Sequence, residues 1–244
     1  MTRLEEILDT DPKSINSDFS HIEHMYTGRF SDYYYQRFDQ ALEAGDLAPS
    51  DSVLIVGAGT GVFSLSVVQY VDDLHLTDLP REDPLFETVR SLYDLSDLDD
   101  RDIEYAAADA TSLPYQSDTF DAVFALDVLE HIPEEQAAIG ELARVTKSNG
   151  KTIVSAPIEI GPPLIIRELY RFIDGRRCQS ESLSEFVRSI FGRSPLDTNQ
   201  HHRGYDYRKT ISRLNEPFNE VSVEYCPYKM LKWFNPTAII IACF

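Results

Sequence analysis

The strongest constraint on this chain is the run Val53-Leu54-Ile55-Val56 followed directly by Gly57-Ala58-Gly59-Thr60-Gly61. A short apolar run that ends in alternating glycines and opens into a further apolar segment reads as strand, tight turn and helix. Lacking Cβ atoms, such a turn lets a ligand approach the backbone, and the following helix would offer free amides at its positive end.

From Asp51 the pattern alternates strand and helix, which predicts a parallel sheet covered on both faces. Strands are expected at Val53 to Val56, Leu74 to Thr77, Ile103 to Ala107, Ala122 to Leu126 and Thr152 to Ala156. The alternation of Val221, Val223 and Tyr225 and the apolar run Thr237 to Phe244 supply two more. Ahead of the fifth strand, Pro133 in a first turn, Glu134 and Glu135 at the positive end and Asn149-Gly150 as a stop delimit a helix. A further helix face is formed by Tyr207, Ile211 and Leu214, with Pro217 as its terminator.

The fold class that follows is α/β: an open, doubly wound, mostly parallel seven-stranded sheet with an N-terminal helical arm. At 244 residues and 43% hydrophobic content, one core suffices, so residues 51–244 are expected as a single domain behind an arm of residues 1–50. The arm carries a short stripe of Leu4, Ile7 and Leu8 and a longer one of Tyr34, Phe38, Ala41 and Leu42. Ser31 is placed to cap the second helix and Gly45 to end it. The aromatic start Tyr26 to Phe30 is a candidate lid. Of Tyr33, Tyr34 and Tyr35, which are candidates to stack on a planar acceptor, at least one belongs to the core, because three consecutive residues cannot share a helix face.

After Pro157 the rhythm breaks for roughly 45 residues, longer than an ordinary connection, so the 158–203 insertion is expected to cover and select a substrate. Within it Leu183, Phe186, Val187 and Ile190 keep helical spacing. The Gly161-Pro162-Pro163 turn precedes an apolar patch, Leu164 to Ile166, that suits a lipid-borne substrate, a partner surface or plain core packing.

Charge excludes one class of partner. A net charge of −19 is unsuited to neutralising phosphates, so nucleic acid is not expected. Only six of the 22 basic residues are lysine, and an acidic, lysine-poor surface fits a salt-rich cytoplasm in which self-repulsion is screened. Cys178, Cys226 and Cys243 have no zinc spacing and read as reduced thiols. No apolar run reaches bilayer length and no signal core opens the chain, which suits a cytoplasmic protein with at most peripheral membrane contact.

The glycine spacing separates two ligand classes. A dinucleotide fingerprint is Gly-x-Gly-x-x-Gly, whereas here the third glycine is Gly61 and Val62 holds the dinucleotide position. Asp78 lies 21 residues beyond Gly57, at the end of the second strand, where an acid can take both hydroxyls of a ribose. Next come Ala108-Asp109-Ala110, Leu113-Pro114-Tyr115, and a run from Phe120 through Asp127 to Glu130-His131-Ile132.

In this order the motifs resemble class I S-adenosylmethionine-dependent methyltransferases of the type 11 group, over roughly residues 50–157. The resemblance implies a Rossmann-like sheet whose last strand inserts antiparallel between its neighbours, with S-adenosylmethionine as cofactor. Gly57, Ala58, Gly59 and Gly61 would line its methionine part. Asp78, with Leu79 beside it, would bind the ribose, Asp109 and Ala110 would flank the adenine, and Asp127 would lie near the amino-acid end. Arg29, in a Gly-Arg-Phe sequence, would pair with the cofactor carboxylate or else pack on its aromatic neighbours. One departure is Ile55, where the family often has an acid.

The activity implied is methyl transfer to a small-molecule or glycan-type acceptor, with oxygen the preferred atom. A hydroxyl acceptor must lose its proton, and the candidate bases are His131, His201 and His202, the last two beside Tyr205 and Asp206. The resemblance also implies an alternative in which the Glu130-His131 pair fixes its loop, and no metal is required by its spacing. A nicotinamide-dependent oxidoreductase and a non-catalytic S-adenosylmethionine-binding regulator are the alternatives.

Overall fold

The computed structural model describes residues 31–80, 85–95, 103–159, 205–229 and 235–244, with positions 161, 165, 187, 188, 190 and 191. Helix α1 (Ser31–Gly45) leads into β1 (Ser52–Val56), α2 (Ser64–Val67), β2 (Asp73–Asp78), α3 (Leu85–Leu95), β3 (Ile103–Ala107) and β4 (Phe120–Leu126). A 3-10 turn (Leu129–His131), α4 (Glu135–Val145), β5 (Thr146–Pro157), α5 (Tyr207–Leu214), β6 (Glu220–Cys226) and β7 (Thr237–Cys243) follow. Leu4, Ile7, Leu8, the Tyr26 to Phe30 segment, Leu164, Ile166 and Cys178 lie outside the described residues.

One seven-stranded sheet runs β3-β2-β1-β4-β5-β7-β6. Its first five strands are parallel, and β7 runs antiparallel to both β5 and β6. The open, mostly parallel sheet expected from the sequence is therefore observed, with the last strand inserted between its neighbours. Strand order reverses between β1 and β4, which opens a crevice at their carboxyl ends.

Alternate residues of β1 feed two cores. Val53 and Ile55 join Phe38, Phe63 and Phe124 on one face, while Leu54 and Val56 join Ile139, Leu142 and Leu214 on the other. Phe63 bridges α1 to the sheet, its ring centroid lying 5.2 Å from Phe38 and 5.1 Å from Phe124. Tyr35, Phe38, Ala41 and Leu42 form the buried stripe of α1, so Tyr35 takes the core place expected of Tyr34. Among the described residues no helix is long and apolar enough to cross a membrane.

Helix α1 ends at Gly45 as expected, and two other boundaries differ from the sequence reading. The residue with left-handed backbone is Asp46 (φ 48°), just past the helix end, whose amide donates to Leu42 O. Gly45 is small for a different reason: a Cβ there would meet Phe124 Cζ at 2.7 Å. The helix after the glycine turn is a single turn of four residues, so local amides rather than a long helix dipole shape the loop. Helix α4 ends at Val145 instead of Asn149-Gly150, because the backbone turns extended at Thr146 (φ −74°, ψ 134°) and the chain enters β5; the Thr146 hydroxyl donates to Leu142 O. Gly150 serves the irregular β4–β5 pairing, where a Cβ would lie 2.7 Å from Asp121 O.

Candidate functional site

Every parallel strand end contributes to one connected set of loops. The Gly57–Gly61 turn is held in place by Ala58 N donating to Thr77 O (2.9 Å) and by Gly61 N donating to Ala58 O (2.9 Å). All three of its glycines have positive φ: 69° at Gly57, 57° at Gly59 and 83° at Gly61. A Cβ at Gly57 would collide with Val128 beyond β4, and one at Gly61 would lie 2.8 Å from Val89 of α3. At Gly59 a Cβ would meet nothing within 4 Å, so the middle of the turn faces open space. Two glycines thus permit packing, and the third leaves room for a ligand.

Asp78 closes β2 and is buried. Its Oδ2 accepts from Gly59 N (2.8 Å) and its Oδ1 from Leu79 N (2.7 Å). One carboxylate therefore orders the glycine turn and retains lone pairs for ligand hydroxyls. The Leu79 side chain is exposed. Ala108 N donates to Asp78 O (2.8 Å), which ties in the loop after β3. There Asp109 is exposed, and Oδ1 accepts from the amide (2.8 Å) and hydroxyl (2.7 Å) of Thr111, which hold its carboxyl below the ordinary range. Its neighbour Ala110 is buried in the second core.

Asp127 follows β4 with φ 56°, a backbone state that Asp tolerates better than most residues. The Ser155 hydroxyl accepts from Asp127 N (2.9 Å) and donates to Oδ1 (2.7 Å). Arg37 of α1 donates through Nη1 to Oδ2, and its guanidinium stands 5.1 Å from the Tyr34 ring centre. Next to them the Tyr33 hydroxyl bonds that of Thr237, and burial raises its pKa above the ordinary phenol value.

Glu130 lies on the 3-10 turn that follows. Its Oε2 is shielded from water and has no hydrogen-bond partner among the described residues. Burial, then the Asp127 carboxylate, push its carboxyl up to about 8; Glu159 adds to this, while its own amide and Arg37 oppose it. Tyr205, just before α5, shares a hydrogen bond with Thr210 Oγ1 (2.7 Å), and burial, with the Glu130 and Asp127 charges adding to it, raises its pKa above the ordinary phenol value.

The structure thus brings Gly57, Ala58, Gly59, Gly61, Asp78, Leu79, Asp109, Ala110 and Asp127 to the same edge of the sheet. His131 is exposed on the rim. Arg29, His201 and His202 lie outside the described residues, so their expected roles find no geometry here. Among the described residues no three His, Cys, Asp or Glu side chains are grouped to hold a metal. Sequence reasoning missed Arg37, Ser155 and the buried Oε2 of Glu130. For Arg37 a signal existed, since it interrupts the apolar stripe of α1 one residue before Phe38. Ile55 is only 3% exposed and packs in the first core, so the acid common at that position has no counterpart on β1.

Residues 54–154 match the model of a family described as a methyltransferase domain. Among curated relatives, the chloroplastic 2-methyl-6-phytyl-1,4-hydroquinone methyltransferase 1 of Oryza sativa is 32% identical over 121 residues, 49% of this chain and 35% of its own. A demethylmenaquinone methyltransferase of Corynebacterium urealyticum is 33% identical over 120 residues, 49% and 46% of the two chains. The 27-O-demethylrifamycin SV methyltransferase of Amycolatopsis mediterranei is 26% identical over 156 residues, 64% and 53%. This chain therefore spans between about a third and a half of the relatives' lengths. Among solved structures, a SAM-dependent methyltransferase of Aquifex aeolicus has a TM-score of 0.57 at 13% identity, covering 96% of this chain and 98% of that one. Phosphoethanolamine N-methyltransferase 2 of Haemonchus contortus has a TM-score of 0.59 at 18% identity, covering 93% and 47%. Both share the fold.

Proposed function

We propose that this chain, which carries a class I S-adenosylmethionine-dependent methyltransferase domain, transfers a methyl group to an oxygen of a small, hydroxyl-bearing acceptor. The observation that carries this reading is the open space at Gly59, bordered by Asp78 on one side and tied through Gly57 and Val128 to Asp127 on the other. A nucleoside bearing an amino-acid tail needs a cradle, a ribose acid and a polar tail site, and these residues fit that demand. When bound, the cofactor supplies a methyl group already activated on a sulfonium.

The remaining work falls to the chain's own residues. The glycine turn and Asp78 would hold the adenosyl group, with Asp109 and Ala110 beside the base. Asp127 would meet the ammonium in place of the acid absent at Ile55, and Arg37, which donates to Asp127, would pair with the carboxylate. Displacement at a sulfonium needs aligned reactants and little water, so the arm (1–50) and the 158–203 insertion are assigned the covering role. The hydroquinone, demethylmenaquinone and demethylrifamycin named for the relatives support a small ring-bearing acceptor. An acidic chain whose described cysteines, Cys226 and Cys243, are free fits a cytoplasmic setting.

Calorimetry with S-adenosylmethionine and with NAD tests the cofactor. Binding of the first alone is expected, and binding of NAD alone would transfer the chain to the oxidoreductases. Formation of S-adenosylhomocysteine with a hydroquinone acceptor separates an enzyme from a regulator.

A further inference from the structure

We infer that Glu130 is the group that takes the proton from the acceptor hydroxyl as its oxygen is methylated; this rests on the methyl-transfer reading above. The other carboxylates at the strand ends are already engaged. Asp78 holds two backbone amides, Asp127 holds Ser155 and Arg37, and Asp109 is folded onto Thr111. Glu130 differs, because its Oε2 is hidden from water and makes no hydrogen bond among the described residues. A buried, unbonded carboxyl oxygen is costly, and such costs persist where a ligand is to use the group.

The charges that act on this carboxyl come from three elements besides its own turn: Asp127 at the end of β4, Arg37 on α1 and Glu159 beyond β5. With its pKa pushed up to about 8, Glu130 is matched to a weakly acidic hydroxyl, as general-base efficiency requires. In the step, the hydroxyl proton passes to a Glu130 carboxylate oxygen and the acceptor oxygen's electron pair forms the new O–C bond. The pair of the broken S–C bond stays on the departing thioether sulfur. Glu130 then returns its proton to water.

The experiment compares the whole chain with Glu130→Gln and Glu130→Asp. Carbon-13 NMR of glutamate-labelled protein, assigned by the Gln variant, should show Glu130 ionising far above the other glutamates. Ionisation with the rest overturns the proposal. Transfer from S-adenosylmethionine to 1,4-naphthohydroquinone should show kcat/KM rising about tenfold per pH unit below 8 and levelling above it. Glu130→Gln should lose about a hundredfold in kcat and the pH dependence, with S-adenosylhomocysteine affinity by calorimetry unchanged, and Glu130→Asp should recover both in part. An unaltered rate and profile in the Gln variant, or a parent that binds S-adenosylhomocysteine yet methylates no hydroquinone, overturns the assignment. A parent that does not bind S-adenosylhomocysteine instead fails the methyl-transfer reading.

Discussion

Arg37 and Asp127, 90 residues apart in sequence, form an ion pair that fastens the helix preceding the sheet to the carboxyl end of its fourth strand. The Arg37 side chain is 9% exposed and that of Asp127 32%, so the contact is shielded on the helix side and open toward the crevice. An interaction of this kind couples the position of α1 to the group expected to meet the cofactor's tail.

Arg37→Ala should therefore act twice. Removing one partner of a partly buried pair costs about 1–3 kcal/mol, measured as a fall in the urea midpoint at constant m. Calorimetry should also show weaker S-adenosylmethionine binding, whereas Arg37→Lys, which keeps the charge but loses the planar fork, should fall between parent and Ala. Unchanged affinity in Arg37→Ala would remove the arginine from the cofactor site.

Gly57→Ala and Gly59→Ala should separate stability from binding. Both positions have positive φ, for which a Cβ costs about 1 kcal/mol, but only at Gly57 does it also collide with Val128. Thermal unfolding should fall further for Gly57→Ala. S-adenosylmethionine affinity should suffer more, relative to stability, in Gly59→Ala, because its methyl would occupy the open cradle. Equal affinity in parent and Gly59→Ala would mean that the ligand does not use that space.

Glu130 also predicts a pH dependence of folding. Its carboxyl ionises at about 8 in the folded chain against 4.5 ordinarily, so between those values the folded state binds more protons than the unfolded one. Stability should then decline as pH rises from about 4.5 to 8, and the loss should remain above 8. Glu130→Gln cannot ionise, so it should match the parent near pH 4.5 and exceed it by about 1–3 kcal/mol at pH 8.5, read by denaturant unfolding. A difference that does not vary with pH would contradict this.

The net charge of −19 predicts a salt response. Screening shortens the range of repulsion from about 10 Å at 0.1 M to about 3 Å at 1 M, so the melting temperature should climb from low salt to molar KCl. A flat response would argue against a salt-adapted surface.

Much of the sheet was legible because β1, β4 and β7 are buried on both faces, and such strands appear as continuous apolar runs ended by Gly, Asp or Pro. The end of α4 was not. Helix α4 leaves helical geometry at Thr146, whose backbone is already extended (ψ 134°), well before Asn149-Gly150, and nothing in a hydrophobic pattern marks that event. Gly45 did mark the end of α1, but a second reason for its smallness, the room it leaves for Phe124, was not visible in the sequence. Asp78, Asp109 and Asp127 stood out because each lies at or just beyond the end of a parallel strand. Arg37, Ser155 and the buried oxygen of Glu130 depend on contacts between distant segments, and no local window contains both partners.

The place of β7 bears on what happens when the sheet opens locally. Strand β6 has no sheet neighbour except β7, and β7 also covers the free edge of β5. Whenever β7 detaches, the edges of β5 and β6 therefore lose their partner together, which leaves two templates for a strand of another chain and makes the last strand the point where local opening and aggregation meet.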